Sequence, residues 1–383
     1  MSRVVVNKHV LQWALDRSSK SVRDMHPRFP KIAEWLAGVS EPTLRQLEAL
    51  ARTTMTPLGL LFLDKPPVER LPIPHFRTVT DDILDRPSPD LLETIQSMQR
   101  RQAWMREFVI EEGQTPLPFV RSARVGEQPT VVAQTIRDAL GFAGDWASRE
   151  RTWTDALRRL REAMEQVGIL VVTNGIVGNN THRKLDPGEF RGFVLVDEYA
   201  PLVFVNGSDG KAAQMFTLAH ELAHVFFGSS AAFDLRQLLP AQDSTEQACN
   251  HVAAEFLVSE NLLRQMWPSV RDSDEPFQML AQQFKVSAIV AARRAMDLGL
   301  IGKQAFLDFY HAYLADERRK AAGRPDGGDF YANQHVRVGT RFGTAVVQAV
   351  KEGRLLYSEA YALTGLHGKT FDNFAASLIG RGT

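Results

Sequence analysis

Residues 216–228 read FTLAHELAHVFFG. His220 and His224 stand four apart, with Glu221 directly after the first. Four residues are just over one helical turn, so on a helix both imidazoles project from one face. Two imidazoles at that spacing can hold one zinc ion, and the carboxylate beside them can act as a base. The bland reading is that these are ordinary helix residues, since HExxH also arises by chance. The surroundings weigh against it. Met215, Leu218, Leu222 and Val225 recur at helical spacing and form the expected buried stripe, which leaves the histidines on a separate face. A strand-like run precedes the helix, which starts near Ala212, and Gly228 ends it. Glu221 lies about 100° of rotation from His220, so it can flank a metal without ligating it.

Catalytic zinc usually takes three protein ligands, so a third is needed. The metzincin continuation HExxHxxGxxH is excluded: Phe227 stands where its glycine belongs and Ser230 where its third histidine belongs. A carboxylate further on is the alternative, and Asp234, Asp243, Glu246, Glu255 and Glu260 are candidates. Glu246 and Glu255 share one expected helix but are nine residues apart, which puts them on opposite sides. Only one can face the metal. Asn250, four residues after Glu246, could brace it. Glu246 also has an ordinary reading, as a first-turn carboxylate favoured by the helix dipole. Helix geometry places it modestly ahead.

The rest of the chain frames this helix. GILVVT (168–173), FRGFVLVD (190–197) and APLVFVN (200–206) are rich in β-branched and aromatic residues and read as three strands. The polar, glycine-rich segment between the first two reads as a loop. Helices are expected at 89–113, 129–141, 151–167 and 245–260, with two more in 275–301. In the N-terminal region, Leu11, Trp13, Ala14, Met25, Ile32, Trp35 and Leu36 recur at roughly helical spacing, and EPTLRQLEALA (41–51) is its strongest helix. There Pro42 suits a first turn, and Leu44, Leu47, Leu50 and Ala51 form a stripe. The expected fold is α+β: mostly helical, with a small sheet packed against a zincin-like HExxH helix. The expected segments are 1–70, a helical linker region 71–160 that opens with the extended run LPIPHFRT, a metal-binding domain 161–305, and a C-terminal helical module 306–383 after the break AAGRPDGGD.

Composition excludes several classes. The chain has 383 residues, with 45 Lys and Arg against 45 Asp and Glu, so net charge draws it toward neither nucleic acid nor membrane. Its single cysteine, Cys249, permits no internal disulfide and no multi-cysteine zinc finger, and points to a reducing, cytoplasmic setting. The first residues carry charges within their apolar run and do not read as a signal peptide. No run is long enough to span a bilayer.

The strand PLVFVN, the helix FTLAHELAH and the following EQACNHVAAEFLV together resemble the ImmA/IrrE family of bacterial zinc metallopeptidases. That family's pattern is a strand, a HELGH-like helix, then a helix reading E-x-x-A-N-x-F-A-x-E-L-L. Ala223, Cys249 and Val252 depart from it conservatively, and KVSAIVAARRAMDLGLI is similar to its V-S-x-x-V-x-x-R element. The resemblance covers about 165–300 and implies Glu246 as third ligand beside His220 and His224. It also implies a gluzincin-like peptidase whose substrate is a partner repressor, of the kind encoded by a neighbouring gene. The N-terminal region resembles a divergent XRE-type helix-turn-helix domain, from Leu11–Arg17 to the PTLRQLEALA helix. Residues 1–70 carry 11 Lys and Arg against 7 Asp and Glu, a net of +4, which is only mildly basic. The segment 26–38, bracketed by Pro27 and Pro30, is short for a recognition helix. DNA binding through residues 1–70 therefore stands beside dimerisation or the gripping of another protein, and a homodimer is among the expected assemblies.

The expected mechanism is zinc-dependent peptide hydrolysis. His220, His224 and Glu246 would hold the metal, and Glu221 would be the base. Arg191, His182 and Tyr199 are candidates for a second electrophile. The competing reading is a transcriptional regulator or antitoxin-like binding protein with a non-catalytic zinc. A weaker third is a metal-dependent hydrolase of small amides.

Overall fold

The computed structural model describes residues 3–18, 20–68, 87–229, 231–233, 244–315 and 330–379. The expected linker at 71–78, the break at 321–329 and the carboxylates Asp234 and Asp243 lie outside the described residues. The described residues fall into two compact units, divided between residues 96 and 97.

The first unit is helical. Helix α1 spans Lys8–Arg17, α2 Val22–Met25, α3 Ile32–Ala37 and α4 Leu44–Thr53, followed by a 3-10 turn at Leu58–Phe62. Side chains start three of these helices. Asn7 caps α1 by accepting from His9 N–H, and Ser21 with Asp24 forms a capping box on α2. Thr43 with Gln46 does the same for α4. Pro42 therefore lies outside α4 rather than in its first turn, because Thr43 is the better cap. Leu44 is correspondingly 45% exposed, and the buried stripe is Leu47, Leu50 and Ala51. Leu11, Trp13, Met25, Ile32, Trp35 and Leu61 complete that core.

The second unit is the mixed one. Helix α5 spans Pro89–Glu111 across the division; α6 is Pro129–Leu140 and α7 Trp153–Gln166. The strands are β1 Leu170–Asn174, β2 Ile176–Val177, β3 Asn180–Lys184, β4 Gly192–Leu195, β5 Leu202–Asn206 and β6 Ala231–Phe233. The main sheet has the order β1-β5-β4-β6, with β1 parallel to β5 and the other pairs antiparallel. The three expected strands are thus present. Sequence reading missed β6 and the β2–β3 hairpin, which occupies the segment read as a loop. Strands β1, β4 and β5 are buried at every position, which is why each reads as an unbroken apolar run.

Helix α8, Lys211–Phe227, packs on β4 and β5, on α7 and on α9, Ser244–Leu257. Its residues 214–226 are all buried, so it forms the centre of the unit rather than a surface. Helices α10 (Glu260–Val270), α11 (Pro276–Phe284), α12 (Ala288–Asp297) and α13 (Lys303–Ala315) follow. The expected helix at 245–260 therefore ends early, at Leu257. Helix α14 (Phe330–Val338) packs on β1 and leads into α15 (Thr340–Lys351), α16 (Tyr357–Thr364) and α17 (Lys369–Ile379). The architecture is mostly helical α+β, with the sheet against the HExxH helix.

Candidate metal centre

Two glycines set the position of α8. Gly192 of β4 faces it. A Cβ on Gly192 would lie 2.5 Å from Thr217 Cγ2 and 2.8 Å from the Phe204 carbonyl oxygen, so any side chain there would push helix and sheet apart. Gly228 ends α8 in the left-handed conformation, φ 77°, and its N–H closes on the carbonyls of His224 and Val225. That turn brings the next residue back over the helix. Ser229 N–H bonds the His224 carbonyl at 3.1 Å, and Ser229 Oγ lies 2.8 Å from His224 Nδ1. With Nδ1 engaged, His224 offers Nε2 to the interior.

His220 and His224, 0% exposed, present their Nε2 atoms 3.0 Å apart. From α9, Glu246 reaches both: Oε2 is 3.2 Å from His220 Nε2 and Oε1 is 3.3 Å from His224 Nε2. Asn250 lies one turn after Glu246 on α9. Among the described residues, His220, His224 and Glu246 form the one group of three such side chains able to hold a metal ion. These donors suit zinc. In a tetrahedron with bonds near 2.0–2.1 Å, ligand atoms sit roughly 3.3–3.4 Å apart, close to the distances seen here.

The electrostatics agree with the geometry. Burial lowers the pKa of His220 to about 4, which keeps the imidazole neutral with a lone pair to give. Burial also pushes the Glu246 carboxyl up, but the hydrogen bonds with His220 and His224 outweigh it and hold the group well below the usual carboxylate range. Glu221 is 0% exposed, and among the described residues neither carboxylate oxygen has a hydrogen-bond partner. Burial, then the charge of Glu246, raises its pKa well above 4.5. A carboxylate left without partners beside three convergent donors has the chemistry of a base that awaits a reactant.

Glu255 faces away from the histidines. It is 3% exposed, bonded to Arg294 and 3.9 Å from Arg137. Glu260 pairs with Arg264 at 2.7 Å. The proposed second electrophiles are engaged elsewhere: Arg191 with Asp209 at 3.2 Å, and Tyr199 beneath the Arg106 guanidinium at 5.2 Å. His182 stands on exposed β3. Gly192 and Ser229 carried no signal in the sequence, because each acts through a fold-dependent contact.

No helix among the described residues is long and apolar enough to cross a membrane. No curated protein matches the chain. The model of a domain of unknown function, DUF8813, matches residues 338–377, which cover α15, α16 and most of α17. Residues 164–296, from the end of α7 to the end of α12, match the IrrE N-terminal-like domain of the M78 peptidases, and this segment of the chain is thereby similar to the ImmA/IrrE family.

Proposed function

We propose that the chain is a zinc-dependent endopeptidase that cuts one partner regulatory protein, a repressor or similar product of a neighbouring gene. The observation that carries the reading is the convergence of His220, His224 and Glu246 beside the Glu221 carboxylate, which has no hydrogen-bond partner among the described residues. The match to a peptidase family over the same residues supports it. His220 Nε2, His224 Nε2 and a Glu246 oxygen would hold the metal. A bound zinc would acidify water and draw charge from a peptide carbonyl oxygen. Glu221 would take the proton of the attacking water and deliver it to the leaving amine. Ser229 would fix the imidazole of His224. Burial keeps bulk water from competing for Glu221.

The test is co-expression with the neighbouring gene product. Wild type should cleave it, and Glu221→Gln should bind it without cutting, since removal of a general base costs about 10²–10⁴-fold in rate. Cleavage at the wild-type rate by Glu221→Gln would refute the mechanism.

A second role is proposed for the N-terminal unit, on the strength of exposed Arg23, Arg28 and Lys31 around α2 and α3. These residues suit phosphate contacts, so the unit would bind DNA weakly and in a salt-dependent way. Neutralising each should reduce the slope of log K against log salt by about one. A gel shift with no salt-sensitive binding would leave the unit as a grip for protein.

A further inference from the structure

We propose that Arg121 is a positioning residue for His224: its side chain lies across Gly228 and locks the turn that sets Ser229 against the imidazole. The consequence for metal binding rests on the zinc reading above. The last carbonyls of a helix have no partner within it. At the end of α8 a segment from far earlier in the chain, 117–123, supplies the donors. Arg121 N–H bonds the Val225 carbonyl at 3.1 Å, and Ala123 N–H bonds the Phe226 carbonyl at 3.0 Å. Phe119 stacks on Phe226, with ring centroids 5.3 Å apart. Glu198 anchors the segment: its carbonyl accepts from Leu117 N–H at 2.7 Å, and its carboxylate pairs with the Arg121 guanidinium at 3.0 Å. Val120 and Ala123 are buried in the core.

Two left-handed residues meet here, Gly228 at φ 77° and Arg121 at φ 60°. Among the described residues only Met55, Arg121 and Lys285 hold a positive φ without being glycine. Such a backbone is costly and persists where its surroundings impose it. At Arg121 the surroundings are the end of α8, where its N–H reaches Val225 and its stem covers Gly228. A Cβ added to Gly228 would stand 2.1 Å from Arg121 Cγ and 3.0 Å from Arg121 Cβ and Cδ. Glycine is thus required at 228 twice, by its own φ and by the arginine stem. The stem in turn leaves the turn no room to open on that side. The next residue is Ser229, whose N–H bonds the His224 carbonyl at 3.1 Å and whose Oγ lies 2.8 Å from His224 Nδ1. The residue that holds the imidazole therefore hangs on a turn closed from outside by Arg121. The ion pair to Glu198 is exposed at both ends and adds little stability. Its use is to fix the course of the stem.

The test starts from Arg121→Gly, which keeps the N–H that bonds Val225, accepts the left-handed backbone without strain and removes only the stem over Gly228. Its Tm should stay close to that of wild type, because glycine relieves the backbone there. Its zinc affinity, measured by chelator competition, should fall about tenfold, the low end of the loss seen when a metal-bound histidine loses its support. Ser229→Ala, which removes the support itself, should lose as much or more. Arg121→Lys keeps the methylene stem and should bind zinc as wild type does. Gly228→Asn gives the reciprocal test, since asparagine tolerates the left-handed backbone. In the wild-type background its side chain meets the stem and should weaken zinc binding; in the Arg121→Gly background the further loss should be small. Wild-type zinc affinity in Arg121→Gly, or equal losses from Gly228→Asn in both backgrounds, would overturn the proposal. A readout in the metal-free protein separates it from the zinc reading. The nitrogen NMR shift of His224 Nδ1 should move in Arg121→Gly toward its value in Ser229→Ala. If the shift moves but wild type takes up no zinc, the zinc reading fails and the positioning stands. A shift that stays at the wild-type value overturns the positioning.

Discussion

Glu246 and Glu255 sit nine residues apart on one helix, and their surroundings give them opposite roles. Glu246 touches both histidines, so Glu246→Ala should weaken zinc binding by more than the roughly 10–100-fold that loss of a supporting group costs. Glu255 lies between Arg137 and Arg294, both nearly buried. Glu255→Ala should keep the metal and lose about 3–5 kcal/mol of stability, since two guanidinium groups lose their carboxylate. Metal titration and urea unfolding of the two variants separate these outcomes, and loss of zinc in Glu255→Ala would reverse the assignment. The sequence showed that only one of these glutamates could face the metal. Helix geometry put Glu246 only modestly ahead, with the family resemblance implying it, because the arginines that claim Glu255 are 118 and 39 residues away along the chain. His220, Glu221 and His224 were legible because their spacing is local. Ser229 was not, because its role depends on the left-handed turn at Gly228.

At the scale of elements, α8 is held by close approach to β4. Gly192→Ala should cost about 1–3 kcal/mol by overpacking and should weaken zinc binding as well, because the histidines move with α8. A variant as stable as wild type would show that helix and strand have slack. The start of α15 gives a pH-dependent prediction. Glu165 of α7 accepts from the N–H groups of Thr340 and Arg341, and burial raises its pKa from 4.5 to about 7 despite those bonds and the nearby Arg161 and Arg341. The folded state then holds a proton that the unfolded chain releases above pH 4.5. Stability should therefore fall as pH rises from about 5 to 7.5, by up to roughly 3 kcal/mol. Glu165→Gln should flatten that slope in urea midpoints taken across the range, and an unchanged slope would assign it to another group. The three buried strands were legible because burial on both faces makes them uniformly apolar. The hairpin strand NTHRK is exposed and polar, and the three residues of β6 are too few to show a pattern. Helix α10 escaped because only Val258 and Ser259 separate it from α9, and because Pro268 interrupts its pattern.

In the molecule as a whole, the segment matched to the peptidase family and the segment matched to DUF8813 lie in one compact unit. Buried Arg101 helps to join that unit. Its guanidinium donates to the carbonyls of Leu363 at 2.9 Å and Arg337 at 3.0 Å, so it ties α5 to α14 and α16. Arg101→Ala would leave these carbonyls unpaired and should loosen the C-terminal helices, seen as faster amide exchange across 338–377 with the metal site intact. The overall class was legible from periodicity, but these ties were not, since they cross more than 230 residues of chain. The peptidase reading depends on a metal held by His220, His224 and Glu246. The most direct measurement is the zinc content of the purified full-length protein. One zinc per chain is expected in wild type and in Glu221→Gln, and close to none in His220→Ala or His224→Ala. A wild-type protein that carries no zinc and takes up none, or a double-histidine variant that keeps it, would contradict the account.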